Sequence, residues 1–151
     1  MDSSVIREVR KSAEESFKSG LLCAESVVLA LAKVQGIDSE LLPKAATAFG
    51  SGMSRMCGTC GALTGAIISI GLSLGRSTAN DSFEPSYAAT QKLIRAFENE
   101  FGSCNCKELL DGCDLNTPEG QAMFNEQKLV TRCLQFTGKA AEIVAGIIVE
   151  T

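Results

Sequence analysis

Two thiols stand three residues apart in Cys57-Gly58-Thr59-Cys60, directly ahead of the uncharged run Gly61-Ala62-Leu63-Thr64-Gly65. Five further cysteines lie elsewhere, at Cys23, Cys104, Cys106, Cys113 and Cys133, and histidine is absent from the chain. Without imidazole there is no Ser-His-Asp or Cys-His mechanism, and no histidine ligand for zinc, copper or haem. Chemistry in this chain falls to sulfur. A Cys-x-x-Cys pair is reactive when its second half opens a helix, because unpaired N–H groups and the helix dipole there stabilise a thiolate. Arg55, close by in sequence, acts in the same direction. A haem attachment motif needs His after the second cysteine, where Gly61 stands, and the thioredoxin-like pair belongs to a βαβ setting that this sequence lacks.

The elements that must position these sulfurs read as helices from one end to the other. Ser3 or Ser4 can cap a first helix with Val5, Val9, Ala13 and Phe17 on its apolar face, ended by Gly20. A second helix starts near Cys23 and stops at Gly36. Asp38 to Leu42 reads as a turn, and Pro43 suits the first turn of a short helix through Phe49. Gly50 to Thr59 reads as a glycine-rich loop; it has no Gly-Lys-Ser/Thr closure and no preceding strand, so it is not a nucleotide loop.

A helix from Cys60 to Leu74 follows, with Gly61, Gly65 and Ser69 on a face bare enough for another backbone to approach. Arg76 to Phe83 is polar and linker-like. The pattern then predicts a helix from Glu84 to Phe101 ended by Gly102, a short turn at Lys107–Leu110, a helix start at Thr117-Pro118, and a last helix carrying Val130, Cys133, Leu134, Val144 and Ile148. Nothing reads as a strand. The expectation is an all-α, single-domain bundle of about five to seven helices spanning residues 1–151.

On this reading Cys23, Cys60 and Cys106 all stand at helix starts, where anions such as thiolates or a metal–thiolate cluster are favoured. Cys133 lies on the apolar stripe of the last helix. Bulk properties narrow the partners. A net charge of -4 with no Lys/Arg run argues against nucleic acid. Seven cysteines is an odd count, and Met1 to Phe17 is charged with no apolar signal core, so the chain reads as cytoplasmic rather than as a secreted disulfide scaffold. Met56 to Gly75 carries no charge, but its properly apolar part runs only from Ala62 to Leu74, the length of a buried core helix rather than of a membrane span.

The sequence resembles the family of small redox-active proteins named for a C…CGAxxG…C…C arrangement. Cys60-Gly61-Ala62-Leu63-Thr64-Gly65 carries the central motif, Cys23 matches the first family cysteine, Cys106 the third and Cys133 the fourth, over about residues 17 to 148. Cys104 competes with Cys106 for the third place, and Cys57 and Cys113 stand outside the pattern. The resemblance implies redox activity and convergence of Cys23, Cys60, Cys106 and Cys133 in space.

The resulting expectation is a thiol redox protein, a candidate thiol–disulfide oxidoreductase needing no cofactor. Cys60 would be the low-pKa nucleophile, with Cys57, Cys106 or Cys23 as its resolving thiol, and a redox protein or a small thiol or disulfide as partner. The alternative is a metal protein in which Cys23, Cys60, Cys106 and Cys133 hold an iron–sulfur cluster or zinc. A homo-oligomer is compatible with either.

Overall fold

The computed structural model describes residues 3–150 and is all-α, with no strand among the described residues. Helix α1 (Ser3–Lys18) and helix α2 (Cys23–Val34) are followed by the short α3 (Leu41–Ala46) and a 3-10 turn at Thr47–Phe49. Next come α4 (Gly50–Arg55), α5 (Gly61–Leu74), α6 (Glu84–Phe101), α7 (Cys106–Leu109), α8 (Pro118–Glu126) and α9 (Val130–Glu150). All but α4 are right-handed.

Four helices make the centre: α1 lies along α9, and α2 packs on α5, which also touches α9. Helix α6 closes the bundle against α5 and α9. Helix α5 is apolar all round because it is surrounded, with Ala62, Leu63, Ala66 and Ile70 buried. Its contact with α2 is a backbone contact. A Cβ on Gly65 would lie 2.6 Å from the Ala24 carbonyl oxygen and 2.9 Å from the Ala24 Cα, so the bare face read from the sequence is filled by a neighbouring helix. Phe97 and Phe101 of α6 meet Phe136 of α9 edge-on, with centroids 6.4 and 4.9 Å away, and supply most of the aromatic core. The Arg10 guanidinium binds Glu14 on its own helix and Glu142 on α9, tying α1 to α9 at the surface.

Several ends fall where the sequence puts them. Helix α6 runs from Glu84 to Phe101 and stops at Gly102 in the left-handed conformation, φ 83°. Thr117 caps α8 by accepting the Gly120 N–H at 2.9 Å, with Pro118 behind it. The N-terminus of α2 is closed by Glu25, whose carboxylate accepts the Leu22 N–H at 2.8 Å and the Thr47 hydroxyl at 2.7 Å.

Other expectations need correction. Ser3 and Ser4 lie inside the first turn of α1 rather than ahead of it. Helix α3 begins at Leu41, before Pro43, so part of the expected Asp38–Leu42 turn is already helical. Among the described residues, eight right-handed α-helices exceed the five to seven expected, because Cys106–Leu109 closes into one helical turn where the sequence suggests only a bend. The largest departure is at Gly50–Thr59. Ser51, Gly52, Met53, Ser54 and Arg55 all have positive φ, between 56° and 71°, so that α4 is a left-handed turn and not a loop. No described helix is long and apolar enough to cross a membrane.

Candidate functional site

The site grows from the N-terminus of α5. Cys60 is its N-cap residue, extended at φ -52° and ψ 131°, with its carbonyl accepting the Leu63 N–H at 3.0 Å. The strand-like segment before it pairs with the segment leading into α7 through an isolated antiparallel bridge between Thr59 and Asn105. The Cys60 N–H donates to the Cys104 carbonyl at 2.8 Å, and the Cys106 N–H donates to the Gly58 carbonyl at 2.9 Å. The Asn105 side chain completes the seam. Its amide donates to the Cys57 carbonyl at 2.7 Å, while its oxygen accepts the Glu108 N–H at 3.1 Å and caps α7.

Cys23 approaches from the start of α2. Backbone N–H groups of Ser51, Ala24, Ala62 and Cys23 itself favour its thiolate. The starts of α2 and α5 meet at this sulfur, and Ser51, the first residue of the left-handed turn, lines the same cavity. The Cys23 sulfur explains Gly61: a Cβ there would lie 2.6 Å from Cys23 Sγ. Gly52 answers the same need on the other side, with a Cβ position 2.5 Å from Cys106 Cβ and a φ of 67°. Cys133 comes from the first turn of α9, where its carbonyl accepts the Thr137 hydroxyl at 2.7 Å.

Cys23, Cys60, Cys106 and Cys133 all line one cavity of about 290 Å³. Its other walls are Phe17, Leu21, Leu22, Leu109, Leu110, Leu115, Phe124, Val130 and Phe136. Ser51 supplies the one hydroxyl of the lining, and no described lining residue is charged.

The other three cysteines fall outside this cavity. Cys57, at φ 57°, interacts with Asp114 and Lys107 and lines a narrow crevice with Arg55, so the Cys57–Cys60 spacing does not put both sulfurs into one chamber. Cys104 lies beside the Glu98 carboxylate at 3.8 Å, and Cys113 donates its S–H to the Gly120 carbonyl at 3.0 Å. Of the two contenders for the third position, Cys106 faces the cavity and Cys104 does not.

Burial sets the electrostatics. It pushes Cys106 from the ordinary thiol value of 9.0 up to about 11, and Cys133 up to about 12, with neighbouring sulfurs adding to both. Cys60 rises well above the ordinary value, through burial first and then through Cys23 and Cys106, against which the Ala62 and Leu63 N–H groups pull only weakly. The expectation of a lowered thiol at Cys60 is thereby reversed: desolvation outweighs the helix end, and Arg55 lies in the crevice beyond Cys106. At Cys23 burial again raises the thiol, while four backbone N–H groups favour the thiolate. Cys23 is thus the cavity sulfur with the most N–H groups supporting its anion. Its place at a helix start was legible in the sequence, whereas the parts of Ser51 and Gly52 were not; the density of Gly50, Gly52 and Gly58 was the available signal.

As arranged, no three His, Cys, Asp or Glu groups among the described residues could hold a metal ion. The cavity is instead a set of free thiols in apolar surroundings. An all-α protein with a chamber of free thiols is the class that fold and site define. Residues 21–147 match the family described as "Putative redox-active protein (C_GCAxxG_C_C)", and the chain belongs to that family. The family label writes its central motif Gly-Cys-Ala, whereas this chain has Cys60-Gly61-Ala62. No curated protein and no solved structure matches the chain.

Proposed function

We propose that this chain is a cytoplasmic thiol redox protein that works by thiol–disulfide exchange through Cys23, Cys60, Cys106 and Cys133. The observation that carries the reading is that four thiols, far apart in sequence, line one apolar cavity. Such a cavity suits a dithiol/disulfide couple, since both resting forms are uncharged while the thiolate is reached only in passing.

Cys23 is the attacking thiol, because four backbone N–H groups favour its anion, more than at any other cavity sulfur. Its thiolate attacks one sulfur of a substrate disulfide. The substrate S–S bond breaks, a mixed disulfide forms, and the departing sulfur takes the proton that Cys23 gave up. Cys60, whose chain neighbour Gly61 lies against the Cys23 sulfur, then attacks the Cys23 sulfur and releases the second substrate thiol with the proton it has lost. Two electrons and two protons pass to the substrate, and a Cys23–Cys60 disulfide remains. Cys106 and Cys133, which also act on one another, form a second couple that can restore the first.

Disulfide mapping tests this. Reduced protein is titrated with diamide without oxygen, the remaining thiols are alkylated, and the peptides are read by mass spectrometry. A Cys23–Cys60 link is expected first. Free thiols at all four positions after oxidation, or a Cys57–Cys60 link in their place, would overturn the reading. So would stoichiometric iron or zinc in protein purified without oxygen, which would assign the four sulfurs to ligation.

A further inference from the structure

We infer that the substrate of this cavity is a small, uncharged disulfide, and that ionic disulfides and nucleotide reductants are excluded; this rests on the thiol redox reading above. The argument starts from the wall. Leucine, phenylalanine, valine and cysteine side chains make up nearly all of it, with Ser51 as the polar exception. An ionised group brought inside would lose its hydration and meet no counter-ion, which costs several kcal/mol.

No cation lines the cavity itself. Lys107 lines a narrow crevice that shares Cys106 with it, Arg55 lines that crevice and a neighbouring one with Ser51, Leu115 and Phe124, and Arg132 is held by Asp111 at 2.7 Å. Recognition of a carboxylate or phosphate ordinarily needs such a group aimed at the ligand. The net charge of -4 adds long-range repulsion of anions.

Size points the same way. The free volume of about 290 Å³ lies at the lower edge of the roughly 300–1,000 Å³ usual for ligand pockets. A volume at this lower edge favours a compact ring over a branched tripeptide disulfide. Polarizable sulfur also pairs well with the Phe17, Phe124 and Phe136 rings in the wall. The mouth is apolar too, with Leu22 37% and Val130 45% exposed. A cyclic disulfide entering here accepts two electrons and two protons from Cys23 and Cys60 and leaves as the open dithiol.

Lipoamide and lipoic acid carry the same ring and differ in one charge, so they form the test. Fully reduced protein is mixed without oxygen with lipoamide, lipoic acid or glutathione disulfide at pH 8. Thiol loss is followed by alkylation and intact mass, and each rate is normalised to the same disulfide reacting with dithiothreitol. Lipoamide should oxidise the protein at least about tenfold faster than either anion, the factor that 1.4 kcal/mol of uncompensated desolvation produces. In Val130→Arg, checked for helicity, the lipoic acid rate should rise relative to lipoamide.

Equal or faster reaction with lipoic acid or glutathione disulfide overturns the inference while leaving thiol redox chemistry in place. An unchanged ratio in Val130→Arg does so as well. If none of the three disulfides reacts although diamide forms the Cys23–Cys60 link, the inference fails alone. If diamide forms no link either, the redox reading fails with it.

Discussion

The two ends of α5 sit in different kinds of structure. From Gly65 onward the helix is packed by regular neighbours, Gly65 itself touching the α2 backbone and the large residues filling the bundle core. Ahead of Gly61 the chain runs through a left-handed turn, a single bridge and a one-turn helix, none of which would persist alone. In Ser51, Met53, Ser54 and Arg55 the left-handed conformation costs about 1–2 kcal/mol per residue, because Cβ crowds the following carbonyl. The regular end supplies stability and the irregular end spends part of it holding four sulfurs around a cavity. Strain of this kind gathers where a site must be held open.

Four measurements would break or sharpen that contrast, beginning with the largest effect. Alkaline pH should act through the cavity. Below pH 9.0 the thiols are neutral in both folded and unfolded chains and their contribution is complete. Above it the unfolded thiols ionise while Cys106 and Cys133 hold their protons to about 11 and about 12. The unfolded chain then binds fewer protons, so stability falls from pH 9 upward, by about 1.4 kcal/mol per thiol for each pH unit in the fully shielded limit. Urea melts at pH 8, 9.5 and 11 should show a decline that shrinks when Cys23, Cys60, Cys106 and Cys133 are all serine; an equal decline would mean that the cavity thiols are not shielded.

Gly65→Leu strikes the regular end. With the Ala24 backbone 2.6 Å from the new Cβ, the helices must part, and a loss of about 3 kcal/mol is expected in chemical denaturation. An unchanged midpoint would mean that α2 and α5 are not in contact there.

Arg55→Gly should do the reverse at the strained end. Arg55 is exposed at φ 71°, so glycine relieves the left-handed penalty at some cost in unfolded-state entropy, for a net gain of about 0.5–1 kcal/mol. A loss of stability would show that α4 is not left-handed in solution. The smallest effect belongs to Cys104→Ser, outside the cavity beside Glu98. Stability should stay within about 0.5 kcal/mol and disulfide formation should proceed unchanged; a missing disulfide would return Cys104 to the third position.

The same contrast separates what could be read in the sequence from what could not. Helix α6 with its Gly102 stop, the Thr117-Pro118 start and the apolar α5 follow from local signals, since caps and hydrophobic period act within a few residues. The gathering of Cys23, Cys60, Cys106 and Cys133 was suggested by their pattern, and the cavity they line agrees with it. The left-handed turn was not legible, because Ser-Gly-Met-Ser-Arg carries no local preference for it. It is fixed from outside, by the Ser54 hydroxyl donating to the Ala48 carbonyl at 2.8 Å, by the Gly58 N–H reaching the Gly52 carbonyl at 2.9 Å, and by Cys106 pressed on Gly52. The local argument for an acidic Cys60 failed for a similar reason: a helix end is a property of neighbours in sequence, whereas burial is a property of the whole fold.

The spread of the four cavity cysteines over α2, α5, α7 and α9 has a consequence for biosynthesis. Domains form as the chain emerges from the ribosome, amino-terminal parts first. The sulfurs of Cys23 and Cys60 are available early, yet the chamber lacks a wall until α9 is made and docks along α1 and α5. During that interval those thiols are exposed, unshielded and able to pair wrongly with Cys57 or with another chain. The topology therefore leaves the correct juxtaposition of all four sulfurs to the last step, when the last described helix closes the chamber.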